Sequence, residues 1–135
     1  MTLEEAIANT LNGNPTKEVC LRNYEIVSSS YGCAVFKAPV TEETKNAYGM
    51  VHGGIIFTLM DNAAGYSALL TGKKCVTLNS NVNYIGAANK GNIFADAKLT
   101  HEGKSTLVIN VEVRDDGERL IANGSFTMFV LGKII

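Results

Sequence analysis

The sequence predicts an α+β domain: one long buried helix wrapped by a curved antiparallel β-sheet of five to six strands. Three observations predict it. Residues 55–70, IIFTLMDNAAGYSALL, are apolar nearly all round and free of proline, as in a helix buried on every side. From Val76 onward apolar and polar residues alternate with period two through four long segments joined by turns, the pattern of antiparallel strands. Two shorter runs of the same kind precede the helix. A lone apolar helix among strands is buried most simply by a sheet curving around it. Such a sheet covers only part of so apolar a helix, and a second subunit is the simple candidate for the rest.

The elements follow in order. Residues 2–12 read as a short amphipathic helix. Thr2 and Glu5 have capping-box spacing, Leu3, Ile7 and Leu11 share a face, and Gly13 with Pro15 supplies the stop. Between Tyr24 and Val40, Ala34, Phe36 and Ala38 alternate with Val35 and Lys37, with a turn at Tyr31-Gly32. Residues 41–53 are loop-like, and Gly53-Gly54 stands where the long helix begins; Gly72 ends it. Beyond it, Val76, Leu78, Val82 and Tyr84 are expected on one face and Thr77, Asn79, Asn81 and Asn83 on the other. Residues 86–91, GAANKG, read as a turn. Ile93, Ala95, Ala97 and Leu99 form the next apolar stripe, and Leu107, Ile109, Val111 and Val113 the one after. Asp115-Asp116-Gly117 is a hairpin turn. The last strand, about 119–131, carries Leu120, Ala122, Phe126, Met128 and Val130 on one face.

Composition narrows the function classes. The chain has 135 residues, 46% of them apolar, which suits one ordered domain spanning 1–135. Its formal net charge of −1 gives no general attraction to nucleic acid or to an anionic membrane. Three widely spaced cysteines, Cys20, Cys33 and Cys75, argue against a disulfide framework and against a zinc site, and fit a reducing cytoplasm. The N-terminus carries two glutamates and no long apolar run, unlike a signal peptide, and no stretch reaches the roughly 18 apolar residues of a membrane span.

The polar residues in and around the long helix are candidates for chemistry. Asp61 sits among Leu59, Met60, Ala63 and Ala64; a buried carboxylate is costly and its pKa tends to rise. It is either a structural aspartate bonding a nearby loop or a general base or nucleophile. Asn62 beside it is a simple hydrogen-bond partner. Gly53 and Gly54 lie at the helix start, where free N–H groups and a partial positive charge suit either an oxyanion site or a plain N-cap. His52 either orients this loop or assists proton transfer. Asn46 forms a turn or holds a water or carbonyl, and Thr77 reaches the aspartate or makes a cross-strand bond. Gly65, Ala64 and Ala68 leave room along the helix, and Phe57 and Tyr66 are placed to cap or stack on a substrate.

Taken together, Asn46, Gly49, HGG at 52–54, Phe57, Leu59 and Asp61 resemble the signature of the hotdog-fold thioesterases of the PaaI-like (phenylacetyl-CoA thioesterase) group, with Asp61 nine residues after His52. Residues 76–91, 99–105 and 115–128 are similar to later segments of that family, although Ala87-Ala88 stand where proline is common. The resemblance covers about residues 20–131. It implies Asp61 as catalytic carboxylate, the Gly53 N–H polarising the thioester carbonyl with Gly54 beside it, His52 and Asn46 positioning carbonyl and water, and Thr77 lining the site. It implies a dimer of side-by-side hotdogs, and a tetramer of two dimers, with Asp61 of one chain facing the HGG loop of the other.

The expected activity is therefore hydrolysis of an acyl-CoA, aryl or medium to long chain, to a free acid and CoA, without metal or other cofactor. Substrate contacts are assigned to Gly54, Phe57, Asn62 and Gly65. CoA phosphates, facing a protein with no net positive field, are assigned to Lys104 with Gly103 and Ser105 shaping its turn, and to Lys90. The alternative is a non-catalytic acyl-CoA-binding hotdog module, which has no need of the aspartate.

Overall fold

Helix α1 (Leu3–Asn12) opens with the capping box expected from its first residues: Glu5 N–H donates to Thr2 Oγ1 (3.1 Å) and Thr2 N–H to Glu5 Oε2 (2.8 Å). Ala6 and Ile7 are buried, and Leu3 and Leu11 half-buried, on the face read from the spacing. The computed structural model describes residues 1–12 and 23–135; the Gly13–Pro15 stop and Cys20 lie outside them. Cys33 and Cys75 are free thiols.

Strands β1 (Glu25–Ser30) and β2 (Cys33–Pro39) form a hairpin turning at Tyr31-Gly32, as expected. Gly32 has φ of 66°, a conformation that only glycine adopts without cost. A 3-10 turn at Glu42–Thr44 and a short loop lead to helix α2 (Gly53–Leu69). Strands β3 (Lys73–Tyr84), β4 (Asn92–Glu102), β5 (Thr106–Asp115) and β6 (Leu120–Lys133) follow. All pairings are antiparallel, and the sheet order is β1-β2-β4-β5-β6-β3. One long helix in the embrace of a six-stranded sheet is the hotdog arrangement that the resemblance implied. No helix among the described residues is long and apolar enough to cross a membrane.

The core lies between α2 and the sheet. Ala34, Phe36 and Ala38 of β2, Ile93, Ala95 and Ala97 of β4, and Leu107, Ile109, Val111 and Val113 of β5 are buried, each on the face their alternation assigned. From α2 come Ile56, Leu59, Met60, Ala63, Ala64 and Ala68. Burying a side chain the size of Leu59 or Phe126, both fully enclosed, contributes about 1.5–3 kcal/mol.

The sheet covers α2 only in part, as expected: Ile55, Phe57, Asp61, Asn62, Gly65 and Tyr66 are half-buried on the flank it leaves open. Three expectations need correction. In β3 the register slips between Thr77 and Asn79, a bulge that changes the phase of the strand. Cross-strand partners share a face. Val76 pairs with exposed Phe129, so it lies on the outer face, whereas Thr77, Ser80, Val82 and Tyr84 pair with Met128, Phe126, Gly124 and Ala122 and face the helix. The single stripe Val76–Tyr84 does not exist. In β6 a slip opposite Val113 and Arg114 leaves both Ile121 and Ala122 buried and Leu120 outside that face. Residues 86–91 are an extended connection, not a tight turn, with Ala88 buried and its carbonyl accepting from Val51 N–H (2.9 Å).

Candidate active site

The start of α2 is organised by His52. As N-cap it is extended (φ −63°, ψ 137°), and its Nδ1 accepts from Gly54 N–H at 2.9 Å. An accepting Nδ1 places the proton of the neutral imidazole on Nε2. The N–H groups of Ile55 and Ile56 both donate to the His52 carbonyl (2.9 and 3.2 Å). Of the first-turn donors, Gly53 N–H alone meets no acceptor among the described residues. Helix polarity and geometry thus leave one free, positively polarised donor.

The loop before the helix is set by its own hydrogen bonds. Asn46 Oδ1 accepts from Tyr48 N–H (2.9 Å) and Met50 N–H (3.2 Å), so its side-chain oxygen serves the turn that Gly49 completes at φ 78°. His52 N–H donates to the Thr44 carbonyl (2.7 Å), tying the HGG segment to the 3-10 turn.

Asp61 lies two turns along α2 on its open flank. It is half-buried rather than sealed in the core, and it is partnered: Thr77 Oγ1 donates to its Oδ1 at 2.7 Å, within the range of a charge-assisted bond. Its Oδ2 meets no donor among the described residues. At about 1.5 Å of rise per residue, Asp61 and Gly53 are separated by roughly 12 Å along the helix axis. A single carbonyl cannot touch both within one chain.

Along the same flank, a Cβ added to Gly65 would meet nothing within 4 Å, so there is open space one turn beyond Asp61. Tyr66 meets Phe36 edge-on (5.6 Å between centroids), and Phe57 leans on Phe126 (5.6 Å). Both rings are therefore partly engaged by the core. Asn62 is half-buried beside Asp61.

The residues assigned to CoA do not converge within one chain. Gly103, Lys104 and Ser105 form the β4–β5 turn, where Gly103 N–H donates to the Thr106 carbonyl (2.8 Å) and Val130 N–H to the Ser105 carbonyl (2.9 Å). That turn lies at the end of the sheet nearer Thr77. Lys90 lies at the other end of β4, roughly 33 Å away at about 3.3 Å per strand residue, on the connection that touches Val51 beside the HGG loop. Both lysines are exposed.

One contact was not foreseen. Tyr84, read from the sequence only as part of an apolar stripe, donates from its hydroxyl to the Gly53 carbonyl at 3.1 Å, and its ring would meet a Cβ at Gly53 at 3.5 Å. An aromatic hydroxyl closing a strand that faces a glycine-rich helix start was the available signal.

Comparison with known proteins adds four findings. The sequence model of the thioesterase superfamily matches residues 48–122. A 1,4-dihydroxy-2-naphthoyl-CoA hydrolase of Listeria monocytogenes is 32% identical over 112 residues, covering 81% of this chain and 91% of that protein. A hypothetical thioesterase from Streptococcus pneumoniae, crystallised with coenzyme A, is 34% identical with a TM-score of 0.80, covering 83% of this chain and 91% of that one. The PaaI protein of Escherichia coli, from the phenylacetic acid degradation operon, is 24% identical and superposes over 98% of both chains with a TM-score of 0.86, a likeness of fold.

Proposed function

This chain belongs to the thioesterase superfamily, and from that premise we propose that it is an acyl-CoA thioesterase whose active sites are each built from two copies of the chain. The observation that carries the proposal is the complementary pair on α2: a free N–H at Gly53 and a Thr77-held carboxylate at Asp61, too far apart to act on one carbonyl in one chain.

The donor of one subunit and the carboxylate of its partner supply the two halves of the reaction. Gly53 N–H receives the thioester oxygen, which gains negative charge as the carbonyl carbon becomes tetrahedral. Asp61 takes a proton from water as the hydroxide adds, or itself attacks to give an anhydride that water then opens. In either route the C–S bond breaks, the thiolate of CoA leaves and takes a proton, and the products are the acid and CoA. A positioned carboxylate base accounts for about 10²–10⁴ of the rate.

β3 supplies a way for two copies to meet. It is a twelve-residue edge strand with Leu78 60% and Val76 48% exposed, and a long unpaired edge is a template for another strand. Antiparallel pairing of two β3 strands that sets Thr77 near the level of the partner's Tyr84 brings Asp61 of one chain towards Gly53 of the other. The same pairing brings the Gly103–Ser105 turn of one chain to the end of the joined sheet where the other carries Lys90. The open space at Gly65 belongs to the acyl group; a panel of aryl and aliphatic acyl-CoAs ranks its preference.

The test mixes two inactive variants. Asp61→Asn removes the carboxylate. Gly53→Pro removes the N–H at the first helical position, where proline is favoured, and the extended His52 before it has the conformation that precedes proline. Each variant alone is expected to fold and to turn over poorly. Refolded together, they form heterodimers with one intact site, restoring about a quarter of wild-type activity by random assortment. No recovery on mixing defeats the shared site; full activity of Asp61→Asn defeats the catalytic role of the carboxylate, and binding of acyl-CoA without turnover by the wild type leaves a binding module.

A further inference from the structure

We propose that Tyr84 is a positioning residue for the oxyanion donor, acting with His52 to clamp one peptide group from both sides. This rests on the hydrolase assignment above. The peptide joining Gly53 and Gly54 has its carbonyl bonded by Tyr84 Oη (3.1 Å) and its N–H bonded to His52 Nδ1 (2.9 Å). Those side chains come from different places: Tyr84 closes β3, and His52 ends the loop that precedes α2.

The need for a clamp follows from the residues. Two glycines in a row carry no Cβ, so the backbone at the helix start is held only weakly by its own sterics. The first turn also lacks the full set of intrahelical bonds. An oxyanion donor must nevertheless point at the developing charge before the reaction begins. The Gly53 N–H lies in the preceding peptide, whose His52 carbonyl accepts from Ile55 and Ile56 N–H; holding the 53–54 peptide as well restrains the torsions at Gly53 that join the two planes, and so the direction of the Gly53 N–H. The Tyr84 ring also fills the place of the missing side chain, at 3.5–3.8 Å from where a Cβ would stand. His52, by accepting from Gly54 N–H, leaves Gly53 N–H as the single donor facing the substrate.

The experiment is Tyr84→Phe, which keeps the ring and removes the hydroxyl. The expected result is a fall in kcat of about three- to tenfold with KM for acyl-CoA nearly unchanged, and the same loss for a pantetheine thioester, because the effect sits at the carbonyl and not at the nucleotide. Because both tethers act on one peptide, adding His52→Ala costs the Tyr84→Phe enzyme less than it costs the wild type. In the substrate-free protein, ¹⁵N order parameters at Gly53 and Gly54 drop in Tyr84→Phe while the middle of α2 stays rigid. Unchanged kcat, a KM rise with kcat held, strictly additive losses, or unchanged order parameters each overturn the clamp. The wild type in the same assays separates the two ideas: an active wild type beside a fully active Tyr84→Phe removes the clamp alone, and a wild type without thioester turnover removes the hydrolase assignment while the order parameters still judge the clamp.

Discussion

Replacing Thr77 by valine removes one hydroxyl and nearly nothing else. The lost interaction is the 2.7 Å bond to Asp61 Oδ1; among the described residues the one other hydrogen bond of that oxygen is a weak one to Met128 Sδ at 3.7 Å. Valine keeps the branched shape and the strand preference of the position, so β3 is expected to hold and the thermal midpoint to stay put. A hydrogen bond to a charged group contributes about 1.5–3 kcal/mol, and because Thr77 is exposed and water can replace it, the low end applies. Loss of about 1.4 kcal/mol from the transition state corresponds to a tenfold slower reaction. Release of CoA thiol, followed with a chromogenic disulfide under saturating acyl-CoA, reads it directly: kcat about tenfold lower for Thr77→Val and close to wild type for Thr77→Ser. A Thr77→Val enzyme with full kcat, or a Thr77→Ser enzyme as slow as the valine variant, refutes the idea that this hydroxyl orients the carboxylate.

Other consequences are as direct. Gly32→Ala forces a side chain into a φ of 66° and sets its Cβ 2.8 Å from Leu99 Cβ; chemical denaturation should show about 2–4 kcal/mol of lost stability, against little change for Gly132→Ala, where nothing stands within 4 Å. Glu102 is held below the usual carboxylate range by its bond to Lys73 Nζ and then by the Tyr31 hydroxyl, so its stabilisation is present above the unfolded-state pKa and is lost as pH falls through the lowered folded-state pKa. Glu102→Gln should accordingly flatten the acid limb of the stability–pH curve measured by thermal melting, and leave the neutral limb with the same slope. Lys104→Ala should raise KM for acyl-CoA with kcat held and leave a pantetheine thioester unaffected; equal damage to both substrates would move the lysine from nucleotide binding to the fold.

Much of this architecture was legible because each buried strand repeats one rule. Ala34-Phe36-Ala38, Ile93-Ala95-Ala97 and Leu107 through Val113 alternate without a break, and the structure buries each stripe as read. The HGG segment and Asp61 were legible as well, since a carboxylate inside an apolar helix conflicts with burial. What escaped were features set by pairing and not by residue type. The slips in β3 and β6 have no compositional signature, so Val76 was placed on the wrong face and Ile121 was missed. All-round apolarity of α2 could not say which flank the sheet covers, so Asp61 looked sealed when it is half-open. Tyr84 and Gly53, 31 positions apart, meet only once β3 has folded along the helix. In the hairpin at Asp115-Asp116-Gly117 the sequence pointed to the right turn but not to its strained residue, since the positive φ falls on Glu118.

The slip between Thr77 and Asn79 bears on how this chain can change over generations. Thr77 and Tyr84 stand seven positions apart, an odd interval, and in an unbroken strand an odd interval puts two side chains on opposite faces. The one supernumerary residue turns the interval even, which is how both hydroxyls come to reach α2. What the geometry requires at Leu78 is therefore a count and not a chemistry. Its side chain is 60% exposed, and substitutions there should leave the Thr77–Asp61 and Tyr84–Gly53 contacts standing, whereas deleting that one codon would carry one hydroxyl or the other to the far side of the sheet. Related sequences are accordingly expected to vary in letter at this position while keeping its length, and a gap here in an alignment should mark a lost or rebuilt site more reliably than a changed residue.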